Sequence, residues 1–235
     1  MAGRRDGDTA GRILDAAEAM VQVRGFNGFS YADVAAELGV TKAALHYHFA
    51  GKAELGEALI DRYATRFAGA LGAIEAEQPD APRKLAAYAR LYLDVLQHNR
   101  MCLCGMLAAE YQTLPGTIRE TLVAFFDDNE RWLAAVLADG RDAGALHFGG
   151  SPEEAARMVV GALEGAMLLA RPYGDAARFE AAAGQLIDGL TVAVPAGRTD
   201  GSGARRPGRG TGRRAPSPAG RPAPSRPSRR PARGT

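Results

Sequence analysis

The stretch from Tyr31 to Phe49 constrains this chain more than any other, because it reads as two short helices bent around Leu38-Gly39-Val40. Val34, Ala35 and Leu38 recur at helical spacing, which gives the first segment an apolar face to dock on a neighbouring helix. Gly39 lets the backbone leave that helix in a left-handed conformation, and Val40 anchors the turn in the core. Thr41 is placed to cap the next helix, whose Leu45 and Phe49 point inward at a four-residue interval. Lys42, Ala43, Ala44, His46, Tyr47 and His48 are left for the outside. Small residues near the start of that helix let its backbone approach a groove. Lys, Tyr and His offer donors to phosphates and base edges, so the pattern is that of a DNA-reading helix-turn-helix.

Short helix-turn-helix units also occur in proteins that bind no DNA, so the flanks matter. A helix expected from Thr9 to Arg24 places Ile13, Leu14, Ala17, Met20 and Val21 on one stripe. The turn Gly25-Phe26-Asn27-Gly28 leads into Phe29-Ser30, and Ser30 can cap the helix that follows. After the recognition segment, Ala50-Gly51-Lys52 opens a long helix that would carry Leu55, Leu59, Ile60 and Tyr63 inward. Three helices around one small core, continued by a long connecting helix, make a complete DNA-binding head.

Residues 10 to 60 resemble the N-terminal domain of the TetR/AcrR family of transcriptional regulators. The resemblance is carried by Ile13-Leu14-Asp15-Ala16-Ala17, Arg24-Gly25-Phe26, Asp33-Val34-Ala35, Leu38-Gly39-Val40, Thr41-Lys42, Leu45-His46-Tyr47-His48-Phe49 and Lys52-Ala53-Glu54-Leu55. It implies that Tyr31 contacts phosphate, that Lys42, Ala43, Ala44, His46 and His48 face the major groove, and that Lys52 meets the DNA backbone. Ser30, Thr41 and Tyr47 complete the expected DNA-binding set. His46 and Ala43 stand where the family usually has Tyr and Gly, so the operator sequence is open.

With 46% apolar residues, two cysteines and no apolar run near the ~20 residues of a membrane helix, the composition suits a cytoplasmic protein with no membrane partner. The charged start Met1-Ala-Gly-Arg-Arg-Asp6 leads into an amphipathic helix and not into a signal-peptide core. The net charge of +2 conceals an asymmetry, since residues 196–235 hold eleven Arg and one Asp and leave the rest of the chain acidic. That Gly/Arg/Pro/Ser/Ala segment has no large apolar residue and is expected to be disordered. Its pairs Arg205-Arg206, Arg213-Arg214 and Arg229-Arg230 could hold DNA phosphates without sequence preference, or the segment could be a solvated extension. A non-specific, architectural DNA-binding protein is therefore the alternative to a regulator, although the acidic body weakens it. The expected organisation is a flexible 1–8, a DNA-binding domain at 9–52, a ligand-binding and dimerisation domain at 53–194 and the basic tail at 195–235.

The fold class is all-α with about nine helices. Between head and tail, Pro79 and Pro82 end the connecting helix and open another that runs to about His98. A shorter helix spans roughly Leu103 to Thr113, and Pro115-Gly116 starts one running to about Ala138. Ser151-Pro152-Glu153-Glu154 is a helix start with a cap, a proline and two carboxylates at the positive end of the dipole. The last two helices, about 152–171 and 175–193, are too apolar for a surface, and Gly161 and Gly165 permit close approach of another helix. Such a hairpin can form a four-helix bundle with its own copy, so a homodimer on a pseudo-palindromic DNA operator is expected.

The family resemblance further implies an inducer cavity among the helices of residues 82–171. Its candidate lining is Tyr88, Tyr92, Cys102, Met106, Glu110, Phe125, Phe126, Asn129, Trp132, Met158, Glu164 and Met167, although helical periodicity alone explains most of the apolar ones as core. Glu110, Asn129 and Glu164 inform most, because a buried polar group needs a partner that a ligand could supply. Cys102 and Cys104 lie at an expected helix start near Arg100, where the dipole would lower a thiol pKa. The run resembles a branch of the family in which Cys-Leu-X-Gly opens this helix and some members sense electrophiles or oxidants. Packed, inert cysteines are the alternative. No zinc ligand set and no cofactor motif is present. Cys102 with His98 could be read as nucleophile and base, but no phosphate loop, oxyanion turn or paired carboxylates accompany them, so no catalytic residue is assigned.

Overall fold

The computed structural model describes the backbone of residues 2–192, with side chains from Thr9 onward. The described residues form nine α-helices: α1 (Ala2–Arg24), α2 (Tyr31–Leu38), α3 (Lys42–His48), α4 (Lys52–Glu77), α5 (Ala81–Gln97), α6 (Leu103–Ala109), α7 (Gly116–Asp142), α8 (Pro152–Ala170) and α9 (Ala176–Leu190). Among them there is no strand, apart from an isolated bridge between Leu146 and Thr191. The expectations for the basic tail lie outside the described residues.

Local chemistry fixes the helix ends. Ser30 and Asp33 form a reciprocal capping box at α2, and Ser151 and Glu154 form another at α8 behind Pro152. Thr41 accepts from the Ala44 amide at α3, and Asp80 does the same for Arg83 at α5. Each such cap is worth about 1 kcal/mol. Gly39 closes α2 at φ +66°, the left-handed conformation that a Cβ would oppose.

Four boundaries depart from the sequence expectation. The helix expected to start at Thr9 begins at Ala2, so residues assigned to a flexible arm continue α1. The helix expected over 103–113 stops at Ala109 and tightens into a 3-10 turn at Tyr111–Thr113, where the Thr113 hydroxyl takes the Glu110 carbonyl. α7 continues past Ala138 to Asp142. α9 stops at Leu190 because the chain then runs extended beside residues 145–147: the His147 amide donates to the Leu190 carbonyl at 2.7 Å and the Val192 amide to Ala145 at 3.0 Å.

Ile13, Ala17, Val21, Phe29, Val34, Leu45, Leu55 and Leu59 are buried around the helix-turn-helix and form the head's core. α4 begins in the head and runs into the body, where Tyr63 is buried. In the body α7 packs on α8, α8 on α9, and α5 against α7, α8 and α9. The short α6 touches α1, α4 and α7, so it lies where head meets body.

Candidate nucleic-acid interface and helical-domain interior

Leu45, fully buried, and Phe49 seat α3 on the head's core and turn its other face outward. Thr41, Lys42, Ala43, His46 and Tyr47 are exposed, while Ala44 and His48 are half-buried. Tyr47 leaves 76% of its surface in solvent and meets His48 edge-on at 5.1 Å. The hydroxyl of Tyr31 donates to the Phe49 carbonyl at 3.0 Å, which ties the start of α2 to the end of α3. Burial pushes its pKa up to about 12, with a smaller contribution from Glu54. His46 tilts against Tyr31 at 4.8 Å, and its Nδ1 lies 3.0 Å from the Ala50 carbonyl. A carbonyl only accepts, so Nδ1 carries a proton. In the neutral ring Nε2 is then an acceptor, able to face the amino group of cytosine or adenine. Ser30 is committed to its capping box, with its amide and hydroxyl both on the Asp33 carboxylate.

Lys52 is not turned to solvent. Its Nζ donates to the Phe29 carbonyl at 2.5 Å and sits 4.4 Å and 4.8 Å from the ring centres of Phe29 and Phe26. Burial lowers its pKa, while Glu110 and Asp33 oppose that shift. Its first role here is to hold the loop between α1 and α2.

Glu110, counted among the interior polar candidates, reaches that same loop from the other side. Its carboxylate accepts the amides of Phe26 at 2.5 Å and Asn27 at 3.2 Å. It belongs to the joint between head and body and not to the helical interior. No sequence pattern singles out the other members of the joint. Asn27 Nδ2 donates to Thr113 Oγ1 at 2.7 Å, the Met101 amide to the Gln22 carbonyl at 3.1 Å, and Arg171 to the Val23 carbonyl. Beside them Glu18, 8% exposed on α1, takes Arg62 Nη2 at 3.0 Å and Arg66 Nη2 at 2.5 Å from α4. Glu18 and Gln22 flank the apolar stripe of α1 four residues apart, which is the one signal in the sequence that could have revealed a polar seam there.

The remaining candidates divide. Tyr88, Tyr92, Cys102, Phe125, Asn129 and Met167 are buried, Met106, Phe126, Trp132 and Glu164 are half-buried, and Met158 faces outward with 45% of its surface exposed. Met158 is therefore no part of the interior: α8 is apolar on nearly every side, and periodicity could not tell its inner face from its outer one.

The interior holds a polar chain. Asn129 Nδ2 donates to the Phe125 carbonyl at 2.8 Å, and Tyr88 donates to Asn129 Oδ1 at 3.3 Å, so Tyr92 donates to Tyr88 across 3.0 Å. The Trp132 ring stacks on Tyr88 at 5.7 Å. Tyr63 points its hydroxyl at Cys102 Sγ, 3.7 Å away, and the Cys102 amide meets Met167 Sδ at 3.2 Å. The Glu164 carboxyl lies directly over Gly105, where a Cβ would fall 2.3 Å from Oε2 and would displace the carboxyl. Two atoms in this region, Trp132 Nε1 and Glu164 Oε1, are shielded from solvent and have no hydrogen-bond partner. Burial raises the pKa of Glu164, and it raises those of Tyr63, Tyr88 and Tyr92 as well.

The expectation of an activated thiol is overturned. Cys102 and Cys104 are 2% and 0% exposed, and burial pushes both thiols well above their usual range, with the neighbouring Glu164 adding to it. Desolvation of a thiolate outweighs one short helix dipole. His98 is exposed and spends its Nδ1 on the Asp94 carbonyl, so it does not serve as a base to the buried Cys102. Among the described residues no cluster of His, Cys, Asp or Glu could hold a metal ion, and no helix is long and apolar enough to cross a membrane.

The chain matches the family model for bacterial regulatory proteins of the tetR family over residues 13–59, and that for the tetracyclin repressor-like C-terminal domain over residues 81–186. It is similar to the crystal structure of a TetR-family transcriptional regulator from Agrobacterium tumefaciens, with 31% identity and a TM-score of 0.77, covering 80% of this chain and 100% of that one. It is similar to the transcriptional regulator AcuR of Cereibacter sphaeroides, 28% identical over 157 residues, which is 63% of this chain and 69% of AcuR. The transcriptional repressor NemR of Escherichia coli is 28% identical over 174 residues, 70% of this chain and 84% of NemR.

Proposed function

Because the chain belongs to the TetR family of bacterial transcriptional regulators, we propose that it is a repressor that binds a pseudo-palindromic operator as a homodimer and leaves it when a small molecule enters the helical domain. The observation that carries the DNA-reading part is the outward face of α3, where Lys42, Ala43, His46 and Tyr47 stand exposed on a helix capped by Thr41 and anchored by Leu45. Thr41, Ala44, His48 and the start of α2 at Ser30 and Tyr31 flank that face. Lys52, with one donor on the Phe29 carbonyl, keeps others for the DNA backbone.

Dimerisation is supported by what α8 leaves in solvent. Leu168 and Leu169 are 59% and 71% exposed beside Met158, and the positions of Gly161 and Gly165 are open to an approaching helix. With the outer side of α9, these make the self-complementary face that a two-fold four-helix bundle needs. The inducer reading is supported by two shielded polar atoms of the helical domain, Trp132 Nε1 and Glu164 Oε1, which lack the hydrogen-bond partner that a ligand could supply. The thiols enter this reading as packed neighbours of Glu164, whose burial favours a non-covalent inducer over an electrophile or oxidant acting at Cys102.

Fluorescence anisotropy on DNA upstream of the protein's own gene, with excess random competitor, tests the reading. Specific binding is expected, and Lys42→Ala and Tyr47→Ala should each weaken it by about tenfold. Binding that random DNA removes completely would replace the repressor with an architectural DNA-binding protein.

A further inference from the structure

We propose that Glu110 positions the reading head and thereby sets the half-site spacing that the protein accepts; this rests on the dimeric operator reading above. The argument starts from the end of α1. The last carbonyls of any helix lack partners within it and must find donors elsewhere. Gly25 supplies one to Val21 locally, at 2.8 Å. The next two come from the body, as the Met101 amide takes Gln22 and the Arg171 guanidinium takes Val23. α1 is thus capped in trans by the domain it is attached to.

The chain then turns, and the turn is gripped from both sides. Glu110, at the C-terminal end of α6, accepts the amides of Phe26 and Asn27, while Thr113 holds the Asn27 side chain. From α4, Lys52 holds the Phe29 carbonyl. Gly25 is at φ +85°, which favours glycine for the turn, and a Cβ on it would lie 2.6 Å from Glu110 Oε1 and push the carboxylate from its present position. Immediately beyond Phe29 come the Ser30 cap, α2 and α3. A charged acceptor on two adjacent amides is a short, directional contact, and among the described residues no other side chain bonds those amides. The bearing of α3 on the body therefore depends on Glu110.

In a two-fold dimer the body interface fixes the distance between the two joints, and the joint fixes the direction in which each recognition helix points. Lengthening an operator spacer by one base pair moves a half-site by ~3.4 Å and turns it by roughly a tenth of a helical turn. A head locked at its base cannot follow both changes. A head released at its base can.

The test uses the full-length chain and its operator, synthesised with spacers one base pair shorter, native, and one and two base pairs longer, and read by anisotropy. The wild type is expected to favour the native spacer over its neighbours by at least about tenfold. Glu110→Ala should bind the native spacer more weakly and bring the four affinities within about threefold of one another. Glu110→Gln, which keeps the shape and one acceptor oxygen but loses the charge, should fall between, and it carries the test if the alanine variant fails to fold by circular dichroism. A uniform loss at every spacing, with the wild-type ratios preserved, overturns the proposal and makes Glu110 a structural joint only. A wild type with no spacer preference likewise overturns it, because its heads are then not locked, whereas a chain that sediments as a monomer on the operator sinks the dimeric reading instead, so the two failures are distinguishable.

Discussion

Glu18 on α1 and Glu164 on α8 are both withdrawn from solvent, yet the regions around them are opposite in kind. Glu18 sits in the seam between α1 and α4 with two arginines on its carboxylate, and Arg62 has Asp15 at 2.8 Å and the Gly11 carbonyl at 3.3 Å in addition. Within that seam only Arg62 Nε lacks a partner. Glu164 faces tyrosine rings, two thiols and a glycine; the Cys102 thiol bonds its carboxyl, but no cation acts on it and Oε1 is left orphaned. A polar seam that is nearly satisfied serves to hold two elements in register. A polar pocket left unsatisfied costs stability and is kept where something else completes it. The contrast separates a joint from the region proposed above as the receptor, and α6 touches both: its first turn lies under Glu164 and its C-terminal end carries Glu110 to the head.

The largest effect that bears on this contrast is expected from Glu18→Ala. Removing one member of a buried ion pair costs about 3–5 kcal/mol, because it strands the opposite charge. Here the Arg66 side chain is 51% exposed and Arg62 retains Asp15, so water and the remaining carboxylate reduce the cost to about 2 kcal/mol. Urea unfolding followed both by circular dichroism and by the fluorescence of Trp132, the chain's one tryptophan, measures it. A loss below ~0.5 kcal/mol would show that Glu18 behaves as a surface residue and would remove one side of the comparison.

Glu164→Met should shift stability the other way. Methionine has nearly the same volume and flexibility, fills the space over Gly105 and leaves no orphaned oxygen, so a gain of about 1 kcal/mol is expected in the same unfolding experiment. The two substitutions, each deleting a buried carboxylate, then differ in sign. Should Glu164→Met destabilise the protein as much as Glu18→Ala does, the bond between Glu164 and the Cys102 thiol is a structural one and the receptor side of the contrast collapses.

What the sequence disclosed follows the same division. Ser30, Gly39, Thr41 and Ser151 were legible because a cap or a left-handed turn is decided within four residues, and Leu45 and Phe49 because helical spacing fixes their side. Glu110 was misplaced because its partners are backbone amides 83 and 84 residues away, and a backbone amide carries no residue-type signature. For Cys102 and Cys104 the sequence leaves sensing and packed thiols both open, because a helix start is local whereas burial is tertiary, and burial raises both thiol pKa values. The interior polar chain was legible in part: Asn129 and Glu164 stood out as polar residues on apolar helices, but nothing in the spacing showed that Asn129 would be satisfied and Glu164 would not.

The smallest effect concerns pH, and it sharpens the contrast further. Burial raises the folded-state pKa of Glu164 above its usual 4.5, so the folded protein holds a proton there more tightly than the unfolded chain does. Such a group contributes stability that is fully present below the unfolded pKa and is lost as pH rises through the folded pKa. The groups facing it are Tyr63 from α4, Tyr88 and Tyr92 from α5, and Cys102 and Cys104 beside and within α6, and burial pushes every one of their pKa values up. Below pH 4.5 all of them are protonated in both states, so none titrates at the lower end of the window. Glu164→Met has no proton to lose, so its advantage over the wild type should be smallest below pH 4.5 and should widen as pH rises above it. Unfolding free energies of the two proteins measured side by side from pH 4 to pH 8 give the gap directly. A gap that stays constant across that range would mean that Glu164 ionises in the folded protein as readily as in the unfolded chain, and the orphaned oxygen would then have to be in contact with water.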